Sequence, residues 1–386
     1  MQESFEVSAS GGSYRVVVGR GLLKQIIADN PDALFLIDDY FATLLPVPAE
    51  RKILVNAAES NKALECMAGI ILKLRELGAN RATHLVVVGG GVIQDIATFS
   101  ASIYMRGIRW TYMPSTLLSM ADSCIGGKSS INVLGYKNLV GNFYPPKEVV
   151  IDVDFAATLD PEMIVGGLFE AGKICYARGY DDFQAYLSDD PGVRMSTDTL
   201  QRVLVRSLKT KKWFIETDEF DQKERLLLNF GHTFGHAIEA STHFGVSHGV
   251  AVGIGMMVAV EFAKARGWLS QTGLKRTEVL ASHVRSLLSL DGRGLVVSPP
   301  VIHLDLALEK FDNDKKHLSG VYRMVCPRRD GELELVSEPK NSDVLRDIAF
   351  AYENALKAIT WEVLPVSGDK IGAGVTPVHP AVQQQM

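Results

Sequence analysis

The chain has 386 residues, 47 % of them hydrophobic and 22 % charged, and a formal net charge of −5. That length exceeds one ordinary core, so two domains of a soluble globular protein are expected. The acidic balance excludes a general basic field for nucleic acid or an anionic membrane, so any cations that meet an anionic substrate must be placed locally.

Four cysteines, Cys66, Cys124, Cys175 and Cys326, form no CxxC pair and read as reduced residues of a cytoplasmic protein. The start, MQESFEVSAS, lacks the basic and then apolar stretches of a signal peptide. No uninterrupted run of about 18 apolar residues predicts a membrane span.

In chain order, residues 3–18 alternate around Gly11-Gly12 and predict a β-hairpin. Short apolar runs follow at 34–37, 53–55, 85–88, 111–113 and 149–153, with helical stretches between several of them, notably 63–77 and 93–104. Buried strands alternating with helices predict a mainly parallel sheet with covered faces, a Rossmann-like α/β domain over residues 1–157. From 161 to 358 apolar residues recur at spacings of three and four, so a mostly α-helical domain is expected over residues 158–365. A short hairpin is expected at 322–336, and residues 366–386 show no periodicity and predict a loose tail.

Three constellations carry chemistry. Leu85–Val88 runs into Gly89-Gly90-Gly91 and then a helical pattern opening at Val92-Ile93-Gln94-Asp95. Glycines there let the backbone approach a pyrophosphate, the helix N-terminus offers free N–H groups, and Asp95 can accept from a ribose hydroxyl or an amide. The turn is not GxGxxG, and it reads equally well as an ordinary tight βα turn. In the second, NFGHTFGHAIE sets His232 and His236 one helical turn apart, and His248 follows in SHG. Such a histidine pair is more often decoration, but His232, His236 and His248 falling together within 17 residues point to a catalytic metal with Glu170, from GGLFEAGK, as a carboxylate partner. Glu170 and Lys173 also read as a simple ion pair three residues apart. In the third, DSCIGGKSSIN and GYKN place Lys128 and Lys137 beside glycines, and YMRG adds Arg106; these suit phosphate recognition, or a polar loop with solvated lysines.

Taken together, GGGVIQD, YMRG, MPSTLLSMADSCIGGKSSIN, GYKN, GLFEAGK, RLLLNFGHTFGHAIE, SHG and NDKK, in this order over residues 85–320, resemble the 3-dehydroquinate synthase family of sugar-phosphate cyclases. The resemblance implies that Glu170, His232 and His248 hold zinc, with cobalt the alternative metal, and that His236 sits beside the reacting hydroxyl and the phosphate. It implies a substrate pocket of Lys128, Lys137, Asn138, Lys173, Lys211, Arg225, Asn229 and one of Lys315 and Lys316, here Lys316. Arg106 would reach the phosphate across a homodimer interface. Asp38, Glu59, Lys62, Gly90, Gly91, Asp95, Ser115, Thr116 and Asp122 would contact NAD or its surroundings. The implied reaction converts 3-deoxy-D-arabino-heptulosonate 7-phosphate to 3-dehydroquinate and phosphate: transient oxidation by NAD, β-elimination of phosphate, re-reduction and aldol closure.

Within the family, Arg225, Asn229 and His236 fit the 3-dehydroquinate synthase pattern, and a guanidinium suits a substrate carboxylate. Relatives acting on an amino analogue, sedoheptulose 7-phosphate or glucose 6-phosphate remain the alternatives. Gln94, at the expected pyrophosphate, Tyr40, Val250, Ser115 and Ser129 depart from the family pattern. A glycerol-dehydrogenase-like oxidoreductase would share the architecture but has no need of the Lys128, Lys137, Lys173 and Arg225 collection. An inactive relative with a degenerate NAD site is the third reading. No nucleic acid and no membrane partner is expected.

Overall fold

The computed structural model describes residues 2–289, 301–314, 316–360 and, in backbone only, 363–364. The expected tail and Lys315 lie outside the described residues. The first half runs β1 (Glu3–Val7), β2 (Tyr14–Gly19), α1 (Leu22–Asp29), β3 (Leu34–Asp38), β4 (Lys52–Val55), α2 (Leu64–Glu76), β5 (His84–Gly89), α3 (Gly91–Ile103), β6 (Arg109–Pro114), β7 (Ile131–Val133), β8 (Tyr136–Val140) and β9 (Glu148–Asp152).

Seven strands form one sheet in the order β1-β2-β9-β6-β5-β3-β4. Only β1 and β2 pair antiparallel, and the other contacts are parallel. The central strands show no apolar–polar alternation, for a physical reason. Phe35, Leu36, Ile37, Val86, Val87 and Val88 are all buried, on both faces of the sheet, as crossover connections require. The parallel register aligns Gly89 with Pro114 and Ile37 with Val88. The carboxyl ends of β3, β5 and β6 therefore open on one edge, where ligands of such sheets bind.

The second half runs α4 (Pro161–Arg178), α5 (Tyr180–Ser188), α6 (Thr197–Thr217), α7 (His232–Ser241), α8 (His248–Ala265), α9 (Gln271–Leu288), β10 (Ile302–His303), α10 (Leu304–Asp312), β11 (Val321–Arg328), β12 (Glu332–Pro339), α11 (Ser342–Ala358) and β13 (Val363–Leu364). Side chains of Ser196, Ser270 and Asn341 accept backbone N–H bonds at the starts of α6, α9 and α11. The expected hairpin is β11–β12, paired antiparallel from Val321 to Pro339.

Two helices are buried nearly all round. Every residue of α4 from Val165 to Ala177 is buried. Helix α8 is long and apolar enough to cross a membrane by length and composition, but 78 % of it is buried inside the fold. The two helices can meet because Gly166 faces Gly249; a methyl group at Gly249 would collide with the Gly166 backbone. This close approach brings the middle of α4 to the first residue of α8.

One sequence expectation needs correction. Residues 131–140, read as part of a glycine- and lysine-bearing loop, fold into the hairpin β7–β8. Leu134 (φ 47°) and Gly135 (φ 84°) make its turn. The polar residues in the strands hid it from a reading based on apolar alternation.

Candidate active site

Glu170 projects from the buried middle of α4, while His232 and His248 are the first residues of α7 and α8. Glu170 Oε1 lies 3.7 Å from His232 Nε2 and 3.7 Å from His248 Nε2. Each ring is held from behind. His232 Nδ1 meets the Phe230 carbonyl at 3.3 Å, and His248 Nδ1 meets Glu239 Oε2 at 3.1 Å. Those acceptors make Nδ1 the donor in each ring and turn both Nε2 atoms toward the carboxylate.

The other carboxylate oxygen, Glu170 Oε2, accepts from Lys173, but Oε1 is buried with no hydrogen-bond partner. A buried acceptor left unsatisfied in this way costs about 1–3 kcal/mol. A cation held by Oε1 and two imidazole nitrogens removes that cost. Two nitrogens and one carboxylate, with a further position open, are the donor set of a catalytic zinc, so these residues fit the metal. The surroundings prepare it electrostatically. Burial, followed by the nearby Lys173 ammonium, pushes His232 well below its ordinary value, keeping it a neutral ligand. Burial raises the Glu170 carboxyl against the opposing pull of Lys173.

His236, one turn beyond His232, has Nδ1 3.4 Å from Asp314 Oδ2, and the other Asp314 oxygen accepts from the Lys316 N–H at 2.7 Å. Burial lowers the His236 imidazole, partly offset by Asp314, so the ring is neutral near pH 7 with Nε2 free to accept a proton. The Lys316 charge acts on both His232 and His236, which puts Lys316 at this site. A second group, His236, Glu239 and His248, also has its ligand atoms within 4.8 Å of one another.

Cations and their counter-charges line the adjoining wall. Asp122, in a π-helical turn at Ser119–Ser123, pairs with Lys211 at 2.5 Å and with Lys173 at 3.7 Å. Lys211 also donates to the carbonyl of Ile125 at 3.2 Å. Burial works against the Asp122 carboxylate, but the two ammonium groups hold it well below the usual carboxylate range. The Asp218 side chain accepts from the N–H groups of Gln222, Lys223 and Arg225, folding the 218–225 loop. That loop buries Arg225, whose guanidinium lies against Gly126, and sets Asp221 2.6 Å from Lys128. Asn229 is nearby in sequence and donates to the Leu226 carbonyl at 3.0 Å.

The expected nucleotide side gathers at the strand ends. Asp38 closes β3 and accepts from Tyr40 N–H at 3.2 Å. The departure at Tyr40 leaves that ring 59 % exposed beside it. Tyr112 OH donates to the Gly89 and Gly90 carbonyls, fixing the glycine turn, and Gly90 packs on Thr116. Ser115 N–H returns to the Gly89 carbonyl at 3.0 Å. Asp95 is occupied rather than free: Lys62 donates to one oxygen at 3.0 Å and Ser130 N–H to the other at 3.0 Å. Lys62 also reaches Asn138 on β8 at 2.9 Å and Glu59 at 3.5 Å, tying the hairpin to the turn. Gln94 does not face the glycine turn. Its amide is buried and exchanges two hydrogen bonds with Ser123, at 2.7 and 2.6 Å.

Two expected residues lie outside the buried wall. Lys137 is on exposed β8, its ammonium 3.5 Å over the Phe244 ring and near enough to Glu239 for its charge to act on that carboxylate. Arg106 is exposed at the far end of α3, and 13 residues of helix separate it from the glycine turn by about 20 Å. Sequence reasoning gave no role to Glu239, Asp314 or Asp221. Glu239 carried a usable signal, since it lies three residues after His236 on the same helical face. Asp314 and Asp221 are paired to the site only by folding.

Known proteins share the sequence and the fold of this chain. Family models described as 3-dehydroquinate synthase N-terminal and C-terminal match residues 52–165 and 167–317. A 3-dehydroquinate synthase of Dictyoglomus turgidum is 34 % identical over 354 residues, covering 89 % of this chain and 97 % of the relative. A 2-epi-5-epi-valiolone synthase from Streptomyces hygroscopicus subsp. jinggangensis, solved with NAD+ and Zn2+ bound, superposes with TM-score 0.72 at 26 % identity, covering 92 % of this chain and 99 % of that one. A 2-deoxy-scyllo-inosose synthase complexed with carbaglucose-6-phosphate, NAD+ and Co2+ gives TM-score 0.73 at 21 % identity, over 90 % and 99 % of the two chains, which shows the shared fold. With two consecutive domain models and a full-length relative in agreement, the chain belongs to the 3-dehydroquinate synthase family.

Proposed function

We propose that the chain is an NAD- and zinc-dependent lyase that converts 3-deoxy-D-arabino-heptulosonate 7-phosphate to 3-dehydroquinate and phosphate. The observation that carries the reading is the set of cations, Lys128, Lys173, Lys211 and Arg225, packed beside the Glu170–His232–His248 cluster. A polyol oxidoreductase with a neutral substrate has no use for the buried charges of Lys173, Lys211 and Arg225, which cost desolvation. A substrate with a carboxylate and a leaving phosphate does.

Glu170, His232 and His248 hold the metal, and the glycine turn, Asp38, Glu59, Lys62, Asp95, Ser115 and Thr116 border the nucleotide. Bound there, the metal supplies Lewis acidity at the reacting oxygen and the nicotinamide a reversible hydride acceptor. Arg225, already buried, presents a planar fork to the substrate carboxylate, and Lys128 exchanges Asp221 for the incoming anion. Asp122 holds Lys173 and Lys211 in fixed positions, so their charges meet the substrate without reorganisation. His236 accepts a proton at Nε2 while Asp314 holds its Nδ1–H. Asn229, Asn138 and Lys137 complete the pocket once substrate is present. Arg106, being remote in its own chain, serves the phosphate of a second copy in a homodimer. Four cysteines without a disulfide suit a reducing, cytoplasmic setting.

The test is a panel of sugar phosphates given with NAD and zinc, followed by phosphate release and product mass. The heptulosonate phosphate should turn over and lose one phosphate to give 3-dehydroquinate. Preference for sedoheptulose 7-phosphate or glucose 6-phosphate would move the chain to another cyclase specificity.

A further inference from the structure

We infer that Glu239 is a positioning residue for the metal: its carboxylate fixes the tautomer and direction of His248, and it is not a ligand itself. The inference rests on the metal reading above.

Helix α7 carries His232, His236 and Glu239 on one face, at spacings of four and three. The last of these reaches the first residue of α8, where Glu239 Oε2 and His248 Nδ1 stand 3.1 Å apart. The opposite edge of the same ring points its Nε2 at Glu170 Oε1, 3.7 Å away. His248 is thus held between two carboxylates, one through each nitrogen. Of the two carboxylates, Glu170 is the one with a buried oxygen in want of a partner among the described residues. Glu170 Oε1 is buried and unbonded, whereas Glu239 Oε2 is bonded to the ring. A metal placed among His236, Glu239 and His248 would compete with that bond and leave Glu170 Oε1 orphaned. Placed among Glu170, His232 and His248, it satisfies the orphan and keeps the bond.

The two ligand histidines are then supported unequally. His232 donates to a neutral carbonyl, that of Phe230, while His248 donates to an anion. A carboxylate behind an imidazole makes the far nitrogen a stronger donor and locks its aim, and loss of such a partner weakens metal binding about 10–100-fold.

The experiment measures zinc affinity by chelator competition, without substrate, on Glu239→Gln, Glu239→Ala, His236→Ala, His232→Ala and His248→Ala, with the visible spectrum of the cobalt-substituted proteins. Glu239→Ala should weaken zinc about 10–100-fold, Glu239→Gln less, with the cobalt spectrum close to that of the parent. His236→Ala should leave zinc affinity unchanged. The smaller effect of Glu239→Gln, whose amide oxygen can still accept from His248 Nδ1, is a rescue by the conservative variant that a merely structural role would not produce. Unchanged affinity in Glu239→Ala overturns the inference. So does a cobalt spectrum altered together with weakened binding in His236→Ala, because that pattern makes Glu239 a ligand. Full zinc retention in His232→Ala is a different failure, that of the metal site itself.

Discussion

The metal side and the nucleotide side of the cleft are built by opposite means. On the metal side, three closely packed helices, α4, α7 and α8, hold Glu170, His232 and His248, and glycine contacts such as Gly166 against Gly249 set the spacing. On the nucleotide side, strand ends, a glycine turn and the polar hairpin β7–β8 are joined by side-chain bonds through Lys62, Asp95 and Asn138. Helix packing tolerates almost no added volume. Hydrogen-bonded loops can give way and still bind. The metal side should therefore lose function abruptly under substitution, and the nucleotide side by degrees.

The largest expected effect is in the ligand set. His232→Ala or His248→Ala should lose bound zinc and activity together, measured by metal content and turnover, and full zinc content in both would break the contrast at its root. Next comes Arg225, buried against Gly126. Removing one partner of a desolvated pair costs about 3–5 kcal/mol, on the order of a hundredfold or more in kcat/KM. Arg225→Ala should harm a substrate with a carboxylate selectively, with zinc and NAD affinity little changed. Equal loss on a substrate without the carboxylate would contradict that role.

Two glycines sharpen the comparison further. At Gly249 a methyl group meets the Gly166 backbone, so Gly249→Ala should destabilise by about 1–3 kcal/mol and also weaken zinc, because it forces α8 away from Glu170. Gly135, at the exposed hairpin turn, has φ 84° but open space around it. Gly135→Ala should cost about 1–2 kcal/mol locally and leave zinc affinity alone. Thermal unfolding and chelator titration of the two variants decide whether the sides differ as described.

A smaller effect is expected in pH dependence. Burial raises the Asp95 carboxyl from 3.8 to about 6, although Lys62 opposes the shift. The folded chain then binds a proton more tightly than the unfolded chain, so Asp95 makes stability fall as pH rises from about 4 to about 6. Asp95→Asn should flatten the melting temperature across that window. An unchanged slope would remove Asp95 from the nucleotide-side electrostatics.

The same contrast decides how much was legible in the sequence. His232 and His236 could be grouped because helical spacing is local, His248 because it follows closely in sequence, and the buried β5 strand followed by three glycines announced the turn at Gly90 and Gly91. Glu170 was recognisable from its small-residue surroundings. By contrast, Asp314 meets His236 across 78 positions and Asp221 meets Lys128 across 93, separations for which a single sequence offers no periodic signal. The hairpin β7–β8 was hidden because its exposed strand, Tyr136–Val140, carries little apolar alternation. Gln94 looked like an intrusion on the pyrophosphate, but the rotation of α3 turns its amide to Ser123 instead. Spacing shows which residues share a helix face, and only packing shows which way that face looks.

The most direct test of the cyclase reading is its redox balance. With 3-deoxy-D-arabino-heptulosonate 7-phosphate, NAD and zinc, phosphate release and absorbance at the NADH band should be followed together through many turnovers. One phosphate per turnover with no net NADH is the expected result, because the hydride returns to the substrate before ring closure. Steady accumulation of NADH in proportion to substrate consumed would contradict it and establish a dehydrogenase in its place.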